Sequence, residues 1–151
     1  MRRLIILDAG PLGMVSHPRK NPEIKHWLQQ LLLAGVSVAV PEIADYEVRR
    51  ELLRANQMPG IKRLDTLKGT LDYLPITTPV MLRAAEFWAT LRRQGTPTAA
   101  DAALDGDVIL AAIAALRIAH GDDAIIATTN LRHLTRMAPA SLWHEIEVES
   151  I

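Results

Sequence analysis

The chain has 151 residues, 49% of them hydrophobic, which fits one domain over residues 1–151 with a genuine core rather than a disordered or multi-domain protein. It contains no cysteine, so disulfides, thiol nucleophiles, iron–sulfur clusters and thiolate zinc sites are excluded, and any metal must be held by oxygen or imidazole. Seventeen basic and seventeen acidic side chains cancel, so net charge does not announce a nucleic-acid binder. The apolar run in MRRLIILDAG is too short for a secretion signal and is interrupted by Asp8, and no later run approaches a membrane span, so a soluble, cytoplasmic protein is expected.

In chain order, Arg3 to Leu7 is an almost wholly apolar run ending in Asp8, Gly10 and Pro11, which reads as a buried parallel strand followed by a turn and a polar loop. Asn21 and Pro22 supply start signals for a helix to about Leu33, and Gly35 leads into a strand from Val36 to Val40. Pro41 opens a long helix, EIADYEVRRELLRANQ, that Pro59 and Gly60 are expected to stop. A helix from Ile61 to Leu71, a short strand from Tyr73 to Thr77 and a helix starting at Val80 follow. Gly95 to Ala100 reads as a loop before DAALDGDV, with Asp107 starting the Ala-rich helix DVILAAIAAL; AIIATT is then a strand, and the tail EIEVESI offers an edge strand. Strands alternating with helices imply a parallel sheet covered on both faces, with ligands outside the carboxyl ends of the strands near the point where strand order reverses. That rule directs attention to Asp8 and to Thr128, Thr129 and Asn130, each directly after an apolar strand.

A carboxylate at the end of a buried strand needs a cation, a helix N-terminus or several donors, because desolvation disfavours its charged form. Asp8 therefore either serves a site or ties down the turn after the first strand by bonding backbone N–H groups. At 100° per residue, Glu47 projects between Ile43 and Ala44, while Asp45 lies nearly opposite and is expected to face water. The alternative for Glu47 is a surface ion pair with Arg50 or Arg54. Asp107 shares a helix face with Ala111, Ala114 and Ile118, which places a carboxylate on an inward row; a first-turn acid favoured by the helix dipole is the competing explanation, and Asp105 could take that capping role instead. Carboxylates converging at one end of a sheet repel one another unless hard divalent cations neutralise them, and oxygen-only ligation selects Mg²⁺ or Mn²⁺, ions suited to phosphoryl-transfer chemistry.

These pieces resemble the PIN-domain nucleases, particularly the toxin half of VapBC-type toxin–antitoxin pairs, over nearly the whole chain. LIILDAGPL is similar to the family's first strand with its leading Asp; PEIADYEVRREL resembles the helix after the second strand, whose Glu corresponds to Glu47. DVILAA with Ala114 is similar to the family's Asp-x-x-Ile-Ala-Ala helix and places the third acid at Asp107, and ATTNLRHL matches the exit of the fourth strand. Asn130 stands where many members carry a fourth carboxylate; Asp105, with Asp101 as the alternative, would supply that charge, and the segment from Asp107 to Asn130 is somewhat long for the pattern. The resemblance implies an α/β fold, PIN-like and three-layered (α/β/α) around a central parallel sheet of four to five strands. It also implies an endoribonuclease using one or two Mg²⁺ or Mn²⁺ ions held by Asp8, Glu47, Asp107 and Asp105, with Asn130 in the catalytic set and Thr128 and Thr129 positioning a phosphate or a metal-bound water; the threonines' alternative is to complete the turn after the strand. As partners it implies an RNA substrate, a small antitoxin protein that enters the acidic site through a basic side chain, and a second copy in a homodimer.

Other features carry less. The clusters Arg49, Arg50 and Arg54, Lys62, Arg63 and Lys68, and Arg92 and Arg93 could touch phosphates or form solvated helix faces. His133 could assist at the phosphate or be structural; His17, His26, His120 and His144 lack the spacing of a zinc site. Trp27, Trp88 and Trp143 read as core or dimer contacts rather than base-stacking platforms. Two other functions remain open: a phosphotransferase with Asp8 as nucleophile, against which LDAG lacks a second acid two residues on, and a non-catalytic module that keeps the fold without full metal competence.

Overall fold

The computed structural model describes residues 2–95 and 101–148, and of residues 101–103 the backbone alone. Five strands form one wholly parallel sheet: β1 (Arg3–Leu7), β2 (Ser37–Pro41), β3 (Asp72–Leu74), β4 (Asp123–Thr128) and β5 (Ala140–Leu142), in spatial order β3-β2-β1-β4-β5. The alternation of a strand sorts the core into two layers. Leu4 and Ile6 of β1 face one apolar cluster, while Ile5 and Leu7 face the other, and all four are fully buried. Helices α5 (Thr78–Arg93) and α6 (Asp101–Ala119) cover the first face; α1 (Ala9–Ser16), α2 (Pro22–Leu33) and α4 (Met58–Thr70) cover the second. Helix α3 (Glu42–Arg54) contributes to both, Ile43 to one cluster and Ala44 and Val48 to the other. The architecture is therefore the expected three-layer α/β/α arrangement. No helix among the described residues is long and apolar enough to cross a membrane.

Several elements differ from the sequence reading for identifiable reasons. Residues 9–16 are helical rather than a loop: Asp8 caps the helix, and Pro11 sits in the first turn, where a missing N–H costs nothing. Pro59 and Gly60 do not stop α3; they lie in the first turn of α4. The break comes earlier, at Asn56, whose φ of 54° lets its N–H reach the Leu53 carbonyl (3.1 Å) and the Gln57 N–H reach that of Leu52 (2.8 Å). Gly60 then allows α4 onto α3, since a Cβ there would lie 2.8 Å from Leu52 Cδ2. Helix α6 starts at Asp101, so Asp107 lies in its second turn instead of starting it, and Asp105 is an exposed residue inside the helix, not its cap. The third strand is Asp72–Leu74, shorter and earlier than expected. The edge strand is Ala140–Leu142; the tail then turns through a short 3₁₀ segment, Trp143–Glu145, and buries Ile146, whose carbonyl accepts the Trp27 indole N–H at 2.9 Å. The expected strand over 145–151 is not formed through residue 148; its last three residues, like 96–100 of the expected loop, lie outside the described residues.

Candidate active site

Strand order reverses between β1 and β4, because β1 is followed by β2 on one side and paired with β4 on the other. The crevice at the carboxyl ends of these two strands is where such sheets place their ligands, and it begins with Asp8 and Thr128. The Asp8 N–H continues the ladder to the Ala127 carbonyl at 3.0 Å, and its Oδ1 accepts the Ala9 N–H at 2.7 Å, capping α1. Its Oδ2 turns into the crevice and accepts the hydroxyl of Thr128, a wholly buried residue, at 2.7 Å. Asp8 thus ties the turn with one oxygen and turns the other into the crevice.

Asp107 reaches the same place from α6, and both aspartates are only 5% exposed. Between them lies a guanidinium that the sequence reading did not assign. Arg132 donates through Nε and Nη2 to the Asp107 carboxylate (2.9 and 2.6 Å) and through Nη2 to Asp8 Oδ2 at 3.2 Å. This two-pronged geometry is the strong form of an ion pair, and it holds the guanidinium above its ordinary pKa, chiefly through the bond to Asp107. Arg132 is aimed by its backbone. Its φ of 46° is unusual for a residue with a side chain, and its N–H is held by Asn130 Oδ1 at 3.2 Å, while the Asn130 N–H is held by Thr128 Oγ1 at 3.1 Å. Asn130 therefore shapes the loop that presents Arg132.

Glu47 enters from α3 with its carboxylate against Gly106, where an added Cβ would lie 3.3 Å from Oε2. Its ion-pair alternatives are not taken up: Arg54 binds Glu51, and Arg50 lies over the Tyr46 ring. Burial pushes the Glu47 carboxyl pKa up, and the charge of Asp8 adds to that, as does Asp107 more weakly; Arg50 and Arg132 oppose it. Asp8, Glu47 and Asp107 are thus brought into one electrostatic neighbourhood from three separated elements. Asp105 is not. It points into an apolar groove between α5 and α6 with Met81, Ala84 and Trp88, about half a turn around α6 from Asp107, so its expected place as a metal ligand does not hold. The side chain of Asp101 lies outside the described residues. Thr129 is exposed at the mouth of the crevice, packed so closely on α1 that a Cβ on Gly10 would come within 2.4 Å of its Oγ1.

The fit to a hard divalent ion can be judged from the donors. All are carboxylate oxygens, Asp8 and Asp107 already share a cation, and Glu47 is a half-buried carboxylate whose raised pKa shows that Arg50 and Arg132 only partly offset its burial and the neighbouring acids. Among the described residues no three acidic or histidine side chains are gathered tightly enough to enclose an ion. A physical reason is at hand: carboxylates gripping a planar guanidinium stand farther apart than metal–oxygen bonds of about 2.0–2.1 Å allow.

Asp45, expected in water, is buried and paired with Arg49 at 2.9 Å and Lys68 at 3.7 Å. Arg49 also binds Asp65, and Arg63 donates to the Val15 carbonyl, so much of the basic charge on α3 and α4 is spent internally. Trp27 and Trp143 meet edge to face within the core, whereas Trp88 lies on the α5–α6 groove.

No family model and no curated protein matches the chain in sequence. Solved structures do match in shape. A chain of VapBC2 from Rickettsia felis, bound to a promoter DNA fragment, superposes with a TM-score of 0.72 at 15% identity, covering 93% of this chain and 98% of that one. FitAcB from Neisseria gonorrhoeae gives 0.71 at 20% identity, covering 94% and 99%, and VapBC-1 from nontypeable Haemophilus influenzae gives 0.68 at 18%, covering 94% and 99%. The fold is PIN-like. The superpositions run over nearly the full length of both chains, so the likeness is one of the overall fold.

Proposed function

We propose that this chain is a Mg²⁺- or Mn²⁺-dependent endoribonuclease acting as the toxin of a toxin–antitoxin pair. The observation that carries the reading is the gathering of Asp8, Glu47 and Asp107 at the switch point of a PIN-like sheet, with more negative charge than Arg132 alone neutralises. Asp8, Glu47 and Asp107 would hold the metal. Once bound, a divalent ion supplies Lewis acidity toward a phosphodiester and lowers the pKa of water. The protein's own part is preparatory: Thr128 fixes Asp8, Gly106 leaves room for Glu47, Asn130 sets the loop, and Thr129 offers a hydroxyl at the mouth to a phosphate oxygen. The VapBC complexes sharing the fold support a small antitoxin as partner; a homodimer, an RNA substrate and a cytoplasmic setting belong to the same reading. RNA cleavage that requires Mg²⁺ or Mn²⁺, stops with EDTA and disappears in Asp8→Asn and Asp107→Asn of unchanged fold is the expected result. Inactivity of the metal-supplied wild type on varied RNAs would defeat it.

One observation favours a second reading, a non-catalytic PIN-like binding module: Arg132 satisfies Asp8 and Asp107 without any metal. Calorimetry with Mn²⁺ separates the two, since absence of binding by both wild type and Asn130→Asp supports the module.

A further inference from the structure

The crevice carries its own cation, and that has a consequence for how it takes up another. We infer that Arg132 is the resident counter-ion of the candidate metal centre: its guanidinium occupies the place between Asp8 and Asp107 that a divalent ion would take, and it must release both carboxylates for the ion to bind. This deepens the metal-dependent reading and rests on it.

Four observations carry the inference. The guanidinium bridges the same two buried aspartates that the metal reading assigns as ligands, with Asp107 held by both prongs, so neither carboxylate can close on an ion while Arg132 stays. Glu47 brings a third carboxylate to the crevice, seated against Gly106 next to Asp107, so a doubly charged ion balances the three acids better than the single charge of Arg132. The loop is built to deliver the side chain, with Arg132 at φ 46° and its N–H tied to Asn130 Oδ1; a positive φ on a residue with a Cβ persists where surrounding contacts hold it. An exit is open, because the Arg132 side chain is 33% exposed against 7% for each aspartate. The long flexible side chain can therefore move into water while its backbone and the two acids stay in place.

Arg132 thereby acts as a built-in competitor that sets the metal concentration at which the centre loads, and Asn130 becomes the residue that positions it. In the metal-free protein the pair is stabilising, since it spares two buried carboxylates from facing each other unpaired.

Isothermal titration with Mn²⁺ on wild type and Arg132→Gln tests this directly. The variant is expected to bind Mn²⁺ about tenfold more tightly or better, to melt lower than wild type in EDTA, and to lose that deficit at saturating Mn²⁺. A second measurement needs no mutation: the Arg132 Nε–H resonance of wild type should be protected from exchange in EDTA and lose that protection as Mg²⁺ is added. Equal or weaker Mn²⁺ binding by Arg132→Gln, or an Arg132 resonance indifferent to saturating Mg²⁺, overturns the competition while leaving the metal reading standing. Absence of Mn²⁺ binding by both proteins overturns the metal reading and this inference together.

Discussion

The two ends of the same sheet are both charged, and they are built differently. At the amino ends of the strands three arginines meet three aspartates: Arg2 with Asp72 and Asp122, Arg3 with Asp123, and Arg117 with Asp122 at 2.7 Å. At the carboxyl ends Asp8 and Asp107 share Arg132, while Glu47 is offset by the charge of Arg50 and, more weakly, by that of Arg132. The electrostatic signatures have opposite signs. Asp122 is held below the ordinary carboxylate range, first by its hydrogen bond to Arg117, whereas Glu47 is pushed above it by burial and by Asp8. Balanced charge at one end serves the fold; unbalanced charge at the other is a cost the fold carries, and such costs concentrate where chemistry is done.

The contrast can be broken most severely at the carboxyl end. Asp8→Asn or Asp107→Asn should reduce metal-dependent RNA cleavage about 100-fold or more while circular dichroism stays unchanged, because each removes a ligand to an ion worth several kcal/mol at the transition state. Asp122→Asn at the other end should leave cleavage within about twofold of wild type. A comparable loss there would erase the distinction between the ends.

Next in size is Thr128→Val. It removes the buried hydroxyl that serves Asp8 and the Asn130 N–H, and should cost about 1–3 kcal/mol in chemical denaturation. Thr128→Ser should restore most of it, since the hydroxyl and not the methyl makes these bonds.

The smallest effects sharpen the comparison through pH. A carboxyl whose folded pKa is raised favours the fold when protonated, so its contribution is present below the unfolded value of about 4.5 and is lost as pH rises through the folded value. Glu47→Gln in EDTA should therefore melt about 2 °C higher than wild type at pH 7, with the gain vanishing below about pH 4. Asp122 runs the other way: its lowered pKa stabilises above the unfolded value of 3.8 and that is lost as pH falls through the folded value. Asp122→Asn should accordingly melt about 2 °C lower at pH 7, with the deficit shrinking in acid. Differential scanning calorimetry across pH 3–7 reads both trends in one series; shifts of the same sign would mean the two ends do not differ as described.

Much of this was legible in the residues. β1, β2 and β4 announced themselves as apolar runs ending in turn chemistry, and the candidate acids were picked out by place: Asp8 at a strand's end, Glu47 projecting between Ile43 and Ala44, and Asp107 on an inward row of its helix. What escaped depends on contacts between distant segments. The glycines and proline in AGPLG concealed α1, whose cap and packing override weak propensity. Asp45 projected to water from its own helix, and only the approach of α4 with Lys68 buries it. Arg132 lay inside a matched segment, ATTNLRHL, without a role because its meaning comes from Asp107, 25 positions earlier in the chain. The nearest sequence signal was a lone arginine beside a polar turn opposite three acids. Asp105 shows the converse error: proximity in sequence to Asp107 suggested a shared site, and the helical repeat sends it to another groove.

The central position of β1 sets when the crevice can exist. Asp8 leaves the ribosome well ahead of the groups that complete it, since its hydroxyl partner is 120 residues later in the chain and its guanidinium 124. A nascent chain thus carries its acids apart until β4 slots in beside β1, and fragments ending before Thr128 lack the means to assemble the crevice. Whatever chemistry the crevice performs therefore has to wait for the second half of the chain.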